Sequence, residues 1–348
     1  MANIQIKNIY YMLSYAFQNL RETGFDNIAT EEFDSIHDLF AAILARGIGL
    51  QIKQGLHREY IQIEEEIVGL RGQVMVSETI KRQTLSRGRL FCSYDEFSTD
   101  SPYNQILKSV VFLLLRHGDV RPKNKRELHK LLLYFADVKE IAPTSIRWDI
   151  PKYQRNNASY RMLLELCRMV MKGLLLTTDS GKQKLSTWLQ DEAMHRLYEK
   201  FVLSYYLRHH PEYSPKASFI SWDIDDGTWS KYLPLMKSDI TLQNGEKSLI
   251  IDTKYYGRTM QYNPLYDSKK FISANIYQIY SYVKNRDKAA SGNVAGILLY
   301  AKTDEFVTPN EDMMIGGNRI SLKTLDLNQN WSVIIEQLEN LCIWLRVS

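Results

Sequence analysis

Apolar side chains recur every three or four residues from Ile9 to Leu20, which predicts an amphipathic helix near the start of the chain. A second helix is predicted from about Asp38 to Gly47. Between residues 60 and 94 the pattern changes to short apolar strands, punctuated by glycines that favour turns. Helical spacing then returns and predicts three further helices, over residues 103–117, 126–136 and 159–176.

The second half of the chain alternates between helical and extended patterns. It predicts a helix over about 187–208, a strand pair over 235–254, a helix over 268–284, a strand over 294–300 and a final helix over 331–346. Such an order is typical of a sheet with helices on its faces. The predicted class is therefore α/β, with helices and strands mixed along the chain (mixed α+β). Prolines and a polar stretch in the loop before residue 159 favour two domains, residues 1–160 and 161–348, with a cut near Thr177–Lys182 as the alternative.

Composition and charge are those of an ordinary globular protein. The 348 residues are 45% hydrophobic and 24% charged, with a net charge of +4. This small charge does not by itself indicate a nucleic-acid partner. Three widely spaced cysteines fit neither a zinc knuckle nor a disulfide framework, and no signal or membrane-spanning pattern is found, so a cytoplasmic protein without membrane contact is expected.

The strand pair over 235–254 carries the most specific chemistry. Asp252 and Lys254 alternate with Thr253 along an apolar strand, so both charged side chains project to the same face. The Asn244-Gly245 step predicts a hairpin turn, which would bring Asp239 of the preceding strand beside Asp252. Two carboxylates in this arrangement could hold Mg²⁺ through oxygen ligands, and the lysine could orient an attacking water. The alternative is a surface hairpin with charged ends.

Further residues fit a metal-dependent phosphodiesterase. Glu199 lies on the predicted helix before the strand pair, beside an apolar stripe, and could reach the edge of the metal site. Gln278 and Tyr282 are four residues apart and share one helix face, so they could hydrogen-bond a DNA backbone or base. For Tyr282, simple packing in the core is the alternative.

The order of these residues resembles the PD-(D/E)xK nuclease superfamily, in the branch with a glutamine–tyrosine motif. The segments over residues 6–17, 95–108 and 252–256 resemble the McrC family, the nuclease subunits of McrBC-type 5-methylcytosine-specific restriction enzymes. The first acid follows serine instead of proline, as Ser238-Asp239, which weakens the motif without removing a ligand. The resemblance implies an N-terminal α+β partner-binding domain followed by a restriction-endonuclease-like domain with a central mixed sheet flanked by helices.

The resemblance also implies roles for individual residues. Asp239, Asp252 and the Thr253 carbonyl would bind Mg²⁺, and Lys254 would position the nucleophile. Glu199 would support the metal site, and Gln278 and Tyr282 would orient the DNA.

By the same resemblance, the partner is an McrB-like AAA+ GTPase in a hexameric ring. The partner would read modified cytosines in duplex DNA, and this chain would cut the DNA and stimulate GTP hydrolysis. Consistent with this division, the sequence contains no Gly-x-x-x-x-Gly-Lys-Ser/Thr phosphate loop. The strand-rich segment over residues 60–94 is the candidate for the element inserted into the ring, through Lys81, Arg82, Arg87 and Arg89.

The sequence is compatible with two other functions. The chain could be a non-catalytic DNA-binding and assembly subunit with a degenerate nuclease fold. It could also be an RNA-processing nuclease, because such an enzyme would use the same catalytic residues.

Overall fold

The computed structural model describes residues 4–17, 20, 25, 28, 30–153, 158–177, 192–224, 230–256, 259–263, 268–302, 305 and 307–346. The chain forms two compact units. One unit comprises residues 34–175, and the other comprises residues 1–33 together with 176–348. The middle unit is therefore an insertion between two parts of the terminal unit.

The middle unit joins a long hairpin to a set of helices. Strands β1 and β3 pair antiparallel over their whole length, from Glu59 opposite Ser98 to Ile67 opposite Leu90, and the short β2 adds to β3. Gly72, with φ of 66°, lies so close to β3 that a Cβ atom would be 2.4 Å from the Ser93 carbonyl oxygen. The elements are α2 (Ile36–Gln54), β1 (Glu59–Ile67), β2 (Gln73–Val74), α3 (Val76–Lys81), β3 (Leu90–Ser98), α4 (Pro102–His117), α5 (Pro122–Leu132) and α6 (Ala158–Thr177).

Asn104 fixes the base of this hairpin. Its amide nitrogen donates to the carbonyl oxygens of His57, just before β1, and Thr99, just after β3, at 2.9 and 2.8 Å. Its amide oxygen accepts from the Tyr160 hydroxyl at 3.0 Å. Asn104 is fully buried, so these bonds replace those that water would make. The polar 95–108 segment is therefore used structurally where the hairpin joins the helices.

The terminal unit is built on a five-stranded sheet in the order β11-β12-β10-β7-β6. The central strands β12, β10 and β7 run parallel, and the two edge strands run antiparallel to their neighbours. The unit contains α1 (Ile6–Ala16), α7 (Glu192–His209), β4 (Phe219–Ile220), β5 (Met236–Lys237), β6 (Ile240–Asn244), β7 (Lys247–Lys254), β8 (Met260–Asn263), β9 (Ser268–Phe271), α8 (Ser273–Arg286), β10 (Val294–Ala301), β11 (Glu311–Ile315), β12 (Asn318–Leu325), α9 (Trp331–Leu341) and α10 (Ile343–Arg346).

Helix α8 covers one face of this sheet. Ile279 and Val283 pack with Ile250 of β7 and Leu298 of β10 in a buried apolar cluster. The helix comes close because the strand has glycine at 296, where a Cβ atom would lie 2.7 Å from both Ile279 and Val283. The predicted mixed α+β class and the central mixed sheet with flanking helices are confirmed.

Helix α1 belongs to the terminal unit by its contacts. The Asn8 amide donates to the backbone carbonyls of Leu327 and Gln329, both at 2.8 Å. The Tyr11 ring stacks on Trp331 with centroids 4.7 Å apart. The observed units thus differ from a division at residues 160 and 161, because the first helix completes the C-terminal unit instead of the middle one.

Several predicted elements differ in extent from the observed ones. The helix predicted from residue 268 begins at Ser273, because residues 268–271 pair with β8 as a hairpin strand. Strands β11 and β12 are additional to the predicted elements. The helix predicted from residue 187 is observed from Glu192, and residues 178–191 lie outside the described part of the chain.

Candidate active site

Two neighbouring strands bring the predicted acids together. Strands β6 and β7 pair antiparallel with Ile240 opposite Ile251. One further step along this register sets Asp239 beside Asp252. Asp252 is buried at 2% exposure and Asp239 is half-buried, so the pair lies at the end of the sheet where the core meets the surface.

Thr253 fixes the position of Asp239. Its backbone N–H and its hydroxyl both donate to Oδ2 of Asp239, each at 2.7 Å. Bonds to a charged acceptor are among the stronger hydrogen bonds in proteins. The carboxylate is therefore held against β7 before any ligand arrives, and this role of the threonine was not part of the sequence prediction.

Lys254 lies between an acid and an amide. Its ammonium nitrogen is 2.6 Å from Oδ2 of Asp252 and donates to Oε1 of Gln278 at 2.8 Å. The Gln278 amide nitrogen donates in turn to the Tyr282 hydroxyl at 2.9 Å. The four side chains form one polar chain from the acid to α8, which confirms that Gln278 and Tyr282 lie side by side on one helix face.

Tyr282 is mostly enclosed by the apolar cluster under α8. It is 8% exposed and packs with Ile279 and Val283. The core packing considered as the alternative for Tyr282 is therefore present, and its contact with DNA stays a prediction. Its observed hydrogen bond is to Gln278.

Burial and charge shift the pKa of the site residues. Burial, together with the Asp239 charge, raises the pKa of Asp252 to about 6, although the adjacent Lys254 charge opposes this shift. Burial lowers the pKa of Lys254, but the adjacent Asp252 carboxylate outweighs this effect, so the net shift is upward. The lysine is thus cationic at neutral pH.

Glu199 belongs to the same electrostatic cluster. It lies on α7, and burial together with the charges of Asp239 and Asp252 raises its pKa. The Lys237 charge opposes this shift. Like-charge repulsion of this kind is felt only over short distances. The charges of Asp239, Asp252 and Lys237 therefore act on Glu199, and its role at the metal site stays a prediction. Sequence reasoning missed Lys237, although it stands two residues before Asp239.

The donor set fits a hard divalent cation. Two acids, with Glu199 nearby, offer carboxylate oxygens, which are the ligands that Mg²⁺ prefers. Within the described residues, the buried Oδ2 of Asp252 accepts no conventional hydrogen bond beyond its contact with the Lys254 ammonium. A bound cation would offset the repulsion that raises the pKa of the neighbouring acids.

A second cluster in the terminal unit offers mixed ligands. Nitrogen, oxygen and sulfur atoms of His210, Glu339 and Cys342 lie within 4.8 Å of one another. The two imidazole nitrogens are 2.9 Å from Glu212 and 2.6 Å from Glu339. Glu339 also accepts from the Tyr205 hydroxyl and pairs with Arg346. These bonds form a network that ties the end of α7 to the last helices, and the set suits Mg²⁺ less well than the acid cluster.

The predicted partner-binding residues lie on the hairpin of the middle unit. Lys81 and Arg82 pair with Glu78, at 3.8 and 2.9 Å. Arg87 and Arg89 pair with Glu66, at 3.0 and 3.9 Å. All four cations are solvent-accessible, so they are available to a partner while making local ion pairs.

Exposed apolar side chains stand beside these charges. Val68, Leu70 and Ile80 are 77%, 71% and 65% exposed. Exposed apolar residues in a group mark interaction surfaces more reliably than isolated ones.

Among the described helices of the whole chain, none is both long and apolar enough to span a bilayer.

Comparison with known proteins agrees with this architecture. Residues 2–301 match the family described as McrBC 5-methylcytosine restriction system component. The chain is 26% identical over 339 residues, 96% of each protein, to the type IV methyl-directed restriction enzyme EcoKMcrBC of Escherichia coli strain K12.

A solved structure shares the fold. The half-complex from a tetradecameric assembly of Thermococcus gammatolerans McrB AAA+ hexamers with bound McrC matches with a TM-score of 0.51 and 16% identity, covering 97% of this chain and 76% of that chain. The family match extends through β10 and includes every residue of the acid cluster. The chain belongs to the McrBC 5-methylcytosine restriction system component family.

Proposed function

We propose that this chain is the Mg²⁺-dependent endonuclease subunit of a modification-dependent restriction complex. It cuts DNA phosphodiesters when assembled with an McrB-like AAA+ GTPase on duplex DNA with modified cytosines. The observation that carries the proposal is the convergence of Asp239, Asp252 and Lys254 at one end of the sheet. Family membership supports a nuclease role within such a complex.

Asp239 and Asp252 hold the cation in this proposal, with the Thr253 carbonyl as a third ligand. When bound, Mg²⁺ supplies Lewis-acid polarisation of the phosphate and lowers the pKa of a water. Thr253 keeps Asp239 in position through its two hydrogen bonds. The half-exposed Glu199 supports the site as an additional carboxylate at its edge.

Lys254 orients the attacking water and offsets charge on the phosphate. Gln278 restricts the ammonium to one direction because its Oε1 accepts a hydrogen bond from Lys254 Nζ at 2.8 Å, and Tyr282 fixes the amide in turn. The glutamine is a positioning residue for the lysine, in addition to the DNA-orienting role expected for the Gln278–Tyr282 pair. Such preorganisation supplies much of the rate in electrostatic catalysis.

Two observations support an McrB-like AAA+ GTPase as the partner: the family of the chain and the hairpin of the middle unit. The T. gammatolerans relative is described as bound to McrB AAA+ hexamers. Here, the hairpin from β1 to β3 presents exposed cations and apolar side chains that can contact a ring and stimulate its GTPase. The cytoplasm is the proposed location, because a complex that acts on DNA must reach it.

The decisive experiment is cleavage of methylated plasmid by the reconstituted complex, with and without the GTPase, across a series of Mg²⁺ concentrations. Asp252→Ala and the isosteric Asp252→Asn should abolish cleavage and leave GTPase stimulation near wild type. Glu311→Ala, in an exposed position on the opposite edge strand of the sheet, is the matched acidic control and should cut normally.

The competing function is a non-catalytic assembly subunit that only binds DNA and the GTPase. Cleavage that persists after Asp239→Ala and Asp252→Ala would favour it and would place the catalytic centre elsewhere. Loss of GTPase stimulation together with cleavage would instead indicate that the strand pair is needed for folding.

A further inference from the structure

A small hairpin leads directly into the candidate active site. Strands β4 and β5 pair antiparallel, with Phe219 opposite Lys237 and Ile220 opposite Met236. Ile220 and Met236 are buried at 5% exposure each, while Phe219 and Lys237 lie on the outer face. The outer face is therefore separate from the apolar cluster that holds the hairpin in place.

The outer face is apolar where a solvated face would be polar. Phe219 is 66% exposed and Leu235, two residues before Lys237, is 85% exposed. The Lys237 ammonium lies 5.8 Å from the centre of the Phe219 ring. We name this patch of Phe219, Leu235 and Lys237 the hairpin patch.

The patch is held next to the acids. Lys237 precedes Asp239 by two residues, and two residues of extended chain span about 7 Å. Asp239 is in turn held on β7 by its two hydrogen bonds from Thr253. The hairpin patch and the metal-binding oxygens therefore occupy the same part of the terminal unit.

Buried hydrogen bonds join the hairpin to the site. Ser238 is 1% exposed; its N–H donates to the Ser218 carbonyl at 2.9 Å, and its hydroxyl lies 2.8 Å from that of Thr241. The Trp222 indole N–H donates to the Pro234 carbonyl at 2.8 Å across the hairpin. The serine in the place of the motif's proline thus connects the hairpin to β6.

We propose that the hairpin patch contacts the DNA beside the scissile phosphate, with Lys237 on a neighbouring phosphate and Phe219 and Leu235 against the adjoining sugar and base. This inference rests on the proposed endonuclease function. Cations on phosphates give affinity without sequence preference, and apolar side chains can contact the sugars and base edges that a duplex exposes. Such a contact suits a subunit that cuts DNA without reading the modified base.

The test measures binding of a fluorescein-labelled duplex to the full-length chain by anisotropy, in Mg²⁺ and from about 50 to 200 mM salt. The parent protein carries Asp252→Asn so that the DNA stays intact. The variants are Phe219→Ser combined with Leu235→Ser, and Lys237→Met, which keeps an apolar stem. The matched controls are Met314→Ser, at an exposed position on β11, and Arg319→Met, at a half-buried position on β12 where the arginine pairs with Asp312.

The apolar double variant and the charge variant should weaken DNA binding in different ways. Phe219→Ser with Leu235→Ser should raise Kd about fivefold or more with an unchanged salt slope. Lys237→Met should weaken binding and reduce the slope of log K against log salt by about one, as expected for one lost phosphate contact. Thermal melting of each variant verifies that the fold is retained.

Three results would overturn the inference. They are affinities of the hairpin variants equal to those of the controls, a salt slope unchanged by Lys237→Met, and a parent chain that does not bind the duplex at about 50 mM salt. The proposed function is judged separately, by cleavage with an otherwise wild-type complex. Cleavage that survives Asp252→Asn would refute the function without altering the binding result.

Discussion

Thr253 holds Asp239 with two hydrogen bonds to the same carboxylate oxygen, one from its backbone N–H and one from its hydroxyl, each 2.7 Å long. The threonine is fully buried, and its neighbours Asp252 and Lys254 project to the other side of the strand. One strand of the sheet thus supplies an acid, a cation and the two hydrogen-bond donors that hold a second acid beside them.

We expect Thr253→Val to weaken metal binding while the packing of the core is retained. The backbone bond remains but the hydroxyl bond is lost, which costs about 1–3 kcal/mol when the acceptor is charged. Half-maximal cleavage should then require more Mg²⁺. Cleavage titrations at several Mg²⁺ concentrations measure this shift, and Thr253→Ser, which keeps the hydroxyl, should stay close to wild type.

Gln278→Leu should slow cleavage at saturating Mg²⁺ by about tenfold or more, because a displaced catalytic group loses its productive geometry. The amide is the acceptor that directs the Lys254 ammonium. Single-turnover cleavage measures the effect. Tyr282→Phe removes only the next bond in the chain and should cost less than about threefold, since the ring still fills its buried place. An equal loss in both variants would mean that the tyrosine hydroxyl itself contacts the substrate.

Asp252→Asn should stabilise the metal-free protein at pH 8 but not at pH 4. Burial raises the pKa of this acid to about 6 in the folded protein, above its unfolded value of about 3.9. The native state therefore binds more protons between these values, so the cost of the buried charge is absent below about pH 4 and complete above about pH 6. The gain should be about 1–3 kcal/mol. Urea unfolding at both pH values in EDTA tests it, and an equal effect at pH 4 would contradict it.

Charge reversal by Arg87→Glu with Arg89→Glu should reduce stimulation of the partner GTPase by about tenfold, while leaving the terminal unit folded. GTP hydrolysis by the assembled complex is the measurement. Both arginines also pair with Glu66, so Glu66→Gln is the matched control that removes this local pairing alone. A similar loss in Glu66→Gln would indicate a structural role for the ion pairs, and unchanged stimulation in the double variant would exclude these arginines from the contact.

The sequence was sufficient to predict that Asp239 and Asp252 lie together, because the geometry of the acid pair depends only on nearby residues. A hairpin signal at Asn244-Gly245 and the alternation of Asp252, Thr253 and Lys254 determine which side chains share a face. The i, i+4 spacing of Gln278 and Tyr282 was equally local and is observed as a hydrogen bond. The link from Gln278 to Lys254 was not predictable, since it depends on how α8 packs across the sheet.

Other differences have physical causes of the same kind. Strands β11 and β12 flank the Gly316-Gly317 pair, whose positive φ values of 60° and 85° form the turn, so a hairpin signal was present in the sequence. Residues 268–271 were assigned to a helix, but pairing with β8 outweighs their local preference. The periodicity of α1 identified its apolar face without indicating which unit that face would pack against.

The packing of α1 has a practical consequence for dividing this protein. Because Asn8 and Tyr11 are bonded and stacked against residues 327–331, a fragment that starts after the middle unit would lose a helix of its own core. A fragment that retains the terminal unit should therefore keep residues 1–33 together with residues 176–348. In the proposed function, exchanging residues 34–175 between relatives would change the partner-binding unit and leave Asp239 and Asp252 in place.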